Sequence, residues 1–271
     1  ILILGFYLYG SYEINKNKTF LNTIEEKIRV KIVSPNFKLE YGLTIDQIED
    51  KINKLIRYSE PSNNEKTLFI WPEGVFSGYS YEEILIFKNL INKNFNKNHY
   101  IIFGVNKLEK NTGLFYNSML VVNNELQIIG QYNKQKLVPF GEFLPFEKTL
   151  KKFGLKKITE GHESFQKGNN QNNIKIDQMN ILTLICYEVI FTSLVQNNDS
   201  STNLIVNISE DGWFGDSIGP KQHFAKSTFR AIENGTFFLR SANKGISAIL
   251  DNKGKILKKL DINESGNIEF E

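Results

Sequence analysis

Three side chains of this 271-residue chain could combine into nucleophilic chemistry, and each sits just past an apolar, β-rich run. Cys186, the one cysteine, follows ILTLI within the stretch LTLICYEVIF at 182–191, and Tyr187 and Glu188 come directly after it. Glu73 follows TLFIWP, and Lys134 follows the run that ends at Tyr132. A thiol can attack a carbonyl carbon, a carboxylate can take its proton, and an ammonium can hold the oxyanion that develops. Taken singly, Cys186 reads as a small core hydrophobe, Glu73 as a cap on the turn after Pro72, and Lys134 as a surface lysine. Sites gather at strand ends in α/β sheets, so the joint occurrence favours chemistry.

The elements that must position these groups alternate in type. Residues 25–34 read as a strand that stops at Pro35-Asn36, and 44–59 as an amphipathic helix with Ile45, Ile48, Ile52, Leu55 and Ile56 on one face. A short strand over 67–71, helical spacing over 81–95 and a strand over 100–105 follow. A hairpin comes next, 115–122 and 126–132, turning at Asn123-Asn124. Residues 147–173 read as an excursion. The pair 174–177 and 181–186, a strand at 203–208, a turn at 211–215, a helix at 222–234 and strands at 236–240, 246–250 and 255–260 complete the chain. Such alternation predicts an α/β protein. The strands are too many for one doubly wound sheet, so two mixed sheets packed face to face with outer helices fit better.

Composition narrows the classes. With 41% apolar and 23% charged residues the chain is globular, and a formal charge of +3 gives no basic footprint for nucleic acid. A single cysteine excludes an internal disulfide. The opening run ILILGFYLYG is far short of the roughly 20 residues a bilayer demands. It is expected to be either a buried first strand or, by preference, the end of a transmembrane helix at residues 1–10, with 11–27 as linker and 28–271 as the catalytic domain. His99 and His162 are expected at the surface, and His223 in a structural hydrogen bond. Trp213 and Phe214 are expected in core or rim packing, and Arg230 and Arg240, near Glu233, in a buried structural pair.

Several motifs carry a family resemblance. Trp71-Pro72-Glu73, Tyr132-Asn133-Lys134 with LVPFGE at 137–142, and Ile185-Cys186-Tyr187-Glu188 are the first three. DGWFGD at 211–216, Gln222-His223, RAIE at 230–233 and NKGIS at 243–247 extend the series. Over roughly residues 28–256 the chain resembles the carbon–nitrogen hydrolase (nitrilase) superfamily and, within it, the apolipoprotein N-acyltransferases. LVPFGE followed by DGWFGD separates that group from soluble nitrilases.

The resemblance implies a nitrilase-like α-β-β-α sandwich with Glu73, Lys134 and Cys186 as the triad. Glu142, Tyr187 and Glu188 would assist or position substrate. It implies acyl transfer from a phospholipid, through a Cys186 thioester, to the N-terminal amine of a diacylglyceryl-cysteine apolipoprotein, with no metal or other cofactor. The setting implied is the bacterial inner membrane, with this domain on the periplasmic side and membrane helices before and after it. Two other readings use the same residues: a soluble amidase of the superfamily, and a folded remnant that acylates nothing. Two departures bear on the site. Relatives often carry Asn where this chain has Glu210, and the loop at 35–40, PNFKLE, lacks the second Pro, the Gln and the downstream Trp usual in the family.

Overall fold

The computed structural model describes residues 2–16, 28–62, 65–146, 164–169, 171–196 and 201–271. Among them, two six-stranded sheets lie between helices. The first contains β1 (Arg29–Ser34), β2 (Thr67–Ile70), β3 (His99–Glu109), β4 (Leu114–Val122), β5 (Ile128–Asn133) and β12 (Gly266–Phe270), in the order β12-β1-β2-β3-β4-β5. The second contains β6 (Asn173–Ile176), β7 (Met179–Ile185), β8 (Leu204–Glu210), β9 (Phe237–Asn243), β10 (Ser247–Leu250) and β11 (Ile256–Leu260), in the order β11-β10-β9-β8-β7-β6. The central strands β1, β2 and β3 run parallel, as do β7, β8 and β9, and antiparallel strands flank both sets. Two mixed sheets with outer helices is the arrangement expected.

Side-chain alternation builds the layers. Leu68 and Ile70 of β2 meet Ile181, Val206 and Leu239 of the other sheet in the central core, whereas Phe69 faces outward. That outer face is covered by α2 (Ile45–Ser59), α3 (Tyr81–Ile84) and α4 (Lys88–Asn94) through Ile48, Ile52, Leu55, Ile84 and Ile91. On the far side of the second sheet, Leu182, Ile205 and Phe238 pack with Val195 of α5 (Ser193–Gln196) and Ala231 of α6 (Gly219–Asn234).

Helix α2 starts where expected because Thr44 caps it: its hydroxyl accepts from Gln47 N–H at 3.3 Å, and Gln47 Oε1 accepts from Thr44 N–H at 2.8 Å. Ile45, expected on the buried face, is instead 56% exposed, and burial begins at Ile48. The helical stretch expected at 81–95 is interrupted by a 3-10 turn at Leu85–Phe87. With three residues per turn it keeps Ile84 and Phe87 on one side, so both stay buried while Leu85 and Ile86 face out. Strand β12 escaped sequence reading because it is a polar edge strand in which Ile268 alone is buried.

The opening run is a helix, α1 (Leu2–Lys16), not a buried strand. Its Leu2, Ile3, Leu4, Phe6, Tyr7, Leu8 and Tyr9 are all exposed. The helix continues through Ser11, so the first part of the expected linker is helical, and 17–27 lie outside the described residues. Gly10 and Ser11 each cost about 1 kcal/mol or less in a helix, too little to end this one. Among the described residues no helix is long and apolar enough to cross a membrane.

Candidate active site

Glu73, Asn117, Lys134 and Glu142 converge in a buried polar cluster between the ends of β2, β4 and β5. Glu73 stands three residues past β2, which is stopped by Pro72, and β3 allows its approach at Gly104: a Cβ there would lie 2.9 Å from Glu73 Cα. Lys134 follows β5 directly and is 1% exposed. Its Nζ donates to Glu142 Oε1 at 2.8 Å and to Glu73 Oε1 at 3.4 Å. Asn117 of β4 donates through Nδ2 to the same two oxygens, at 2.8 Å to Glu73 and 2.6 Å to Glu142. Glu73 Oε2 accepts from the Glu210 backbone N–H at 3.0 Å, and Glu142 Oε2 from Val138 N–H at 2.8 Å. Burial alone would lower the Lys134 pKa, but Glu142 and Glu73 outweigh it and hold the ammonium well above its ordinary value.

Cys186 begins the 3-10 turn Cys186–Ile190 after β7 and adopts φ +50°. A non-glycine residue in that region is strained, and the surroundings hold it there. Asn207 Nδ2 donates to Leu184 O at 3.1 Å and to Cys186 O at 3.4 Å, and His223 Nε2 lies 3.2 Å from Cys186 O. His223 Nδ1 lies 2.9 Å from Asp211 Oδ1 and 3.0 Å from Arg240 Nη2. Burial, reinforced by Arg240 and opposed by Asp211, pushes the His223 pKa down. Burial, reinforced by the charge of Glu73, pushes the Cys186 thiol up, with Lys134 opposing. The resting side chain is therefore a thiol that must lose its proton to become a nucleophile.

Glu188, in the middle of the turn, is entirely buried and joins two strand ends. Its Oε1 accepts from Tyr132 OH at 2.8 Å, Gln135 N–H at 2.7 Å and Lys136 N–H at 3.0 Å, and its Oε2 from Ile185 N–H at 2.9 Å. It holds the segment carrying Lys134 against the segment carrying Cys186, a positioning role. Tyr187 stacks edge-on against Phe191 with centroids 5.0 Å apart. It also lines a cleft of about 550 Å³ with Lys136, Leu137, Phe143, Leu144 and Phe165. The walls of this cleft are sequence neighbours of the buried cluster, not the cluster itself: Tyr187 follows Cys186, and Gln135 and Lys136 follow Lys134.

The other expectations divide. His223 makes the structural hydrogen bonds anticipated for it. His99 is fully buried, not on the surface, because Asn96 N–H donates to its Nδ1 at 3.1 Å, Ser62 O lies 2.9 Å from Nε2, and Phe69 and Phe95 pack edge-on to its ring. His162 lies outside the described residues. Arg230 pairs with Glu233 at 2.8 Å, whereas Arg240 reaches Asp211 Oδ2 at 2.9 Å. Trp213 and Phe214 are 47% and 39% exposed, at the rim, with Trp213 6.5 Å from the ring of Tyr41. Asn117 was missed: its one sequence signal is the polar pair Asn117-Ser118 inside an otherwise apolar strand. Among the described residues no group of His, Cys, Asp and Glu side chains could hold a metal ion.

Strand ends that carry a carboxylate, a lysine and a strained cysteine, in a four-layer sandwich of two mixed sheets between helices, define a nitrilase-type fold. Solved structures agree on that fold. Nit3 of Saccharomyces cerevisiae, a member of branch 10 of the nitrilase superfamily, superposes with a TM-score of 0.62 at 17% identity, covering 90% of this chain and 89% of that one. An amidase from Nesterenkonia sp. AN1 in complex with acrylamide gives a TM-score of 0.63 at 16% identity, covering 89% of each. The sequence pattern of the carbon–nitrogen hydrolase family matches residues 41–269, and the chain belongs to that family.

Among curated relatives, the apolipoprotein N-acyltransferase of Rickettsia typhi is 33% identical over 275 residues, covering 99% of this chain and 53% of the relative. That of Wigglesworthia glossinidia brevipalpis is 32% identical over 273 residues, covering 96% and 52%. The chain spans about half the length of the curated relatives it matches.

Proposed function

We propose that this chain is the acyl-transferring domain of an apolipoprotein N-acyltransferase, with Glu73, Lys134 and Cys186 as its catalytic residues. The observation that carries the reading is the buried cluster of Lys134 with Glu73 and Glu142 beside the strained Cys186, in a chain whose relatives bear that name. Glu73 takes the thiol proton, and the Cys186 sulfur attacks the ester carbonyl of a phospholipid. Lys134 and the Tyr187 backbone N–H hold the oxyanion. Collapse of the tetrahedral intermediate returns the proton to the leaving alcohol oxygen, releases a lysophospholipid and leaves an acyl thioester on Cys186. The amine of a diacylglyceryl-cysteine then attacks that thioester, Glu73 accepts its proton, and the thiol is restored.

The cleft beside Tyr187, apolar through Leu137, Phe143 and Leu144 and cationic through Lys136, suits an acyl chain with a phosphate nearby. Water must be kept from the thioester, since hydrolysis would discard the acyl group. The exposed apolar surface of α1 fits a bacterial inner membrane, with this domain on its periplasmic side.

The same cluster would serve an amidase, so the deciding experiment compares acceptors. Protein in phospholipid vesicles is given a diacylglyceryl-cysteine peptide, and the products are resolved by mass. An N-acylated peptide supports the transferase. Release of free fatty acid alone, together with hydrolysis of a small aliphatic amide, would replace it with the amidase.

A further inference from the structure

Glu210 is a further buried carboxyl beside the site, and the chemistry above leaves it unused. It ends β8 and is 2% exposed. Its Oε1 accepts from Gly212 N–H at 2.8 Å and its Oε2 from Asn243 Nδ2 at 2.7 Å. Asn243 in turn brackets Phe37: Phe37 N–H donates to Asn243 Oδ1 at 2.7 Å, and Asn243 Nδ2 donates to Phe37 O at 3.0 Å. Phe37 belongs to the loop at 35–43. On its other side, the backbone N–H of Glu210 is the donor to Glu73 Oε2. Gly74 is compelled to be glycine at this junction, with φ +76° and a would-be Cβ 2.6 Å from Glu210 Oε2.

We propose that Glu210 is a positioning residue for Glu73, linking it through Asn243 to the loop at 35–43. The inference rests on the reading of Glu73 as the base. The charged groups around Glu210 do not offer it a close cation. Glu73 and Asp211 are anionic neighbours, Lys51 of α2 feels its charge only alongside Glu40 and Lys54, and the Lys244 stem lies near Gly212. Burial, reinforced by Glu73 and Asp211 and opposed by the Asn243 and Gly212 hydrogen bonds, raises its carboxyl to about 8. Ionisation above that pH would set a second negative charge against Glu73 and the Cys186 thiol, slowing formation of the nucleophile.

The single cysteine gives a clean test that needs no acyl substrate. The rate of Cys186 alkylation by iodoacetamide is followed by intact mass from pH 6.5 to 9.5, with circular dichroism confirming the fold. In the unaltered protein the logarithm of the rate should climb with pH and then bend, falling about threefold below the extrapolated line by the alkaline end. Glu210→Ala should alkylate about tenfold more slowly at every pH, and Glu210→Gln should recover most of that rate and lose the bend. A bend that persists in Glu210→Gln, or an Ala variant as fast as the unaltered protein, overturns the proposal. A Glu73→Gln variant that alkylates as fast as the unaltered protein also overturns it, through the role of Glu73. If the protein takes no acyl group from phospholipid, the transferase reading falls while the alkylation profile still supports Glu210.

Discussion

Lys134 is held more closely by Glu142, at 2.8 Å, than by Glu73, at 3.4 Å. The lysine is thus anchored by one carboxylate and left oriented towards the other, so in the proposed mechanism Glu73 can turn to the thiol without leaving an unpaired buried cation. Glu142→Gln removes that anchor. Breaking a buried ion pair from one side costs about 3–5 kcal/mol, so a marked drop in melting temperature is expected. Acyl-enzyme formation should fall as well, because Lys134 then turns to Glu73. Calorimetry with single-turnover acylation checks both.

Asn117 spends both amide hydrogens on carboxylate oxygens of Glu73 and Glu142. Asn117→Leu keeps the volume and removes both donors. A hydrogen bond to a charged group is worth about 1.5–3 kcal/mol, which corresponds to roughly a ten- to hundredfold loss in kcat/KM. The loss should fall on kcat more than on KM, since Asn117 orients the base and does not line the cleft. Steady-state kinetics of the variant reads that split.

Gly104→Ala should cripple the site without touching a polar group. Its Cβ would meet the Glu73 backbone at 2.9 Å, and backbone cannot swing aside as a flexible side chain can. Overpacking of this kind costs about 1–3 kcal/mol and displaces Glu73 from Asn117. Activity measured well below the melting temperature should fall by at least about tenfold, which separates displacement from simple unfolding.

The pair Asp211–Arg240 governs acid stability. Burial alone would raise the Asp211 carboxyl, but Arg240 and then His223 hold it down to about 2, below its ordinary 3.8. A carboxyl lowered in the folded state stabilises the protein fully above its unfolded value and loses that contribution as pH falls through about 2. The loss amounts to about 2 kcal/mol. Arg240→Met strands the carboxylate, so the acid unfolding midpoint should move to higher pH. Denaturant melts at pH 2, 4 and 6 measure the shift.

Much of this was legible because β-rich apolar runs ending in Glu73, Lys134 and Cys186 leave a plain trace, and alternation along the chain implies paired sheets. What escaped depends on partners far apart in sequence. Asn117 joins the site through the pairing of β4 with β3 and β5, and the same polar dipeptide in another strand would face water. His99 looked exposed because its flanks are Asn- and Lys-rich, yet the Ser62 carbonyl and two phenylalanines enclose it. Arg230 and Arg240 read as a buried pair near Glu233, whereas Arg230 alone meets Glu233 and the parallel pairing of β8 with β9 brings Arg240 to Asp211.

The central claim is that Cys186 carries the acyl group. Protein incubated with phospholipid vesicles and quenched in acid should gain one fatty-acyl mass on the Cys186 peptide, labile to neutral hydroxylamine and absent from Cys186→Ala. Acyl transfer to a diacylglyceryl-cysteine peptide that persists in Cys186→Ala would contradict it.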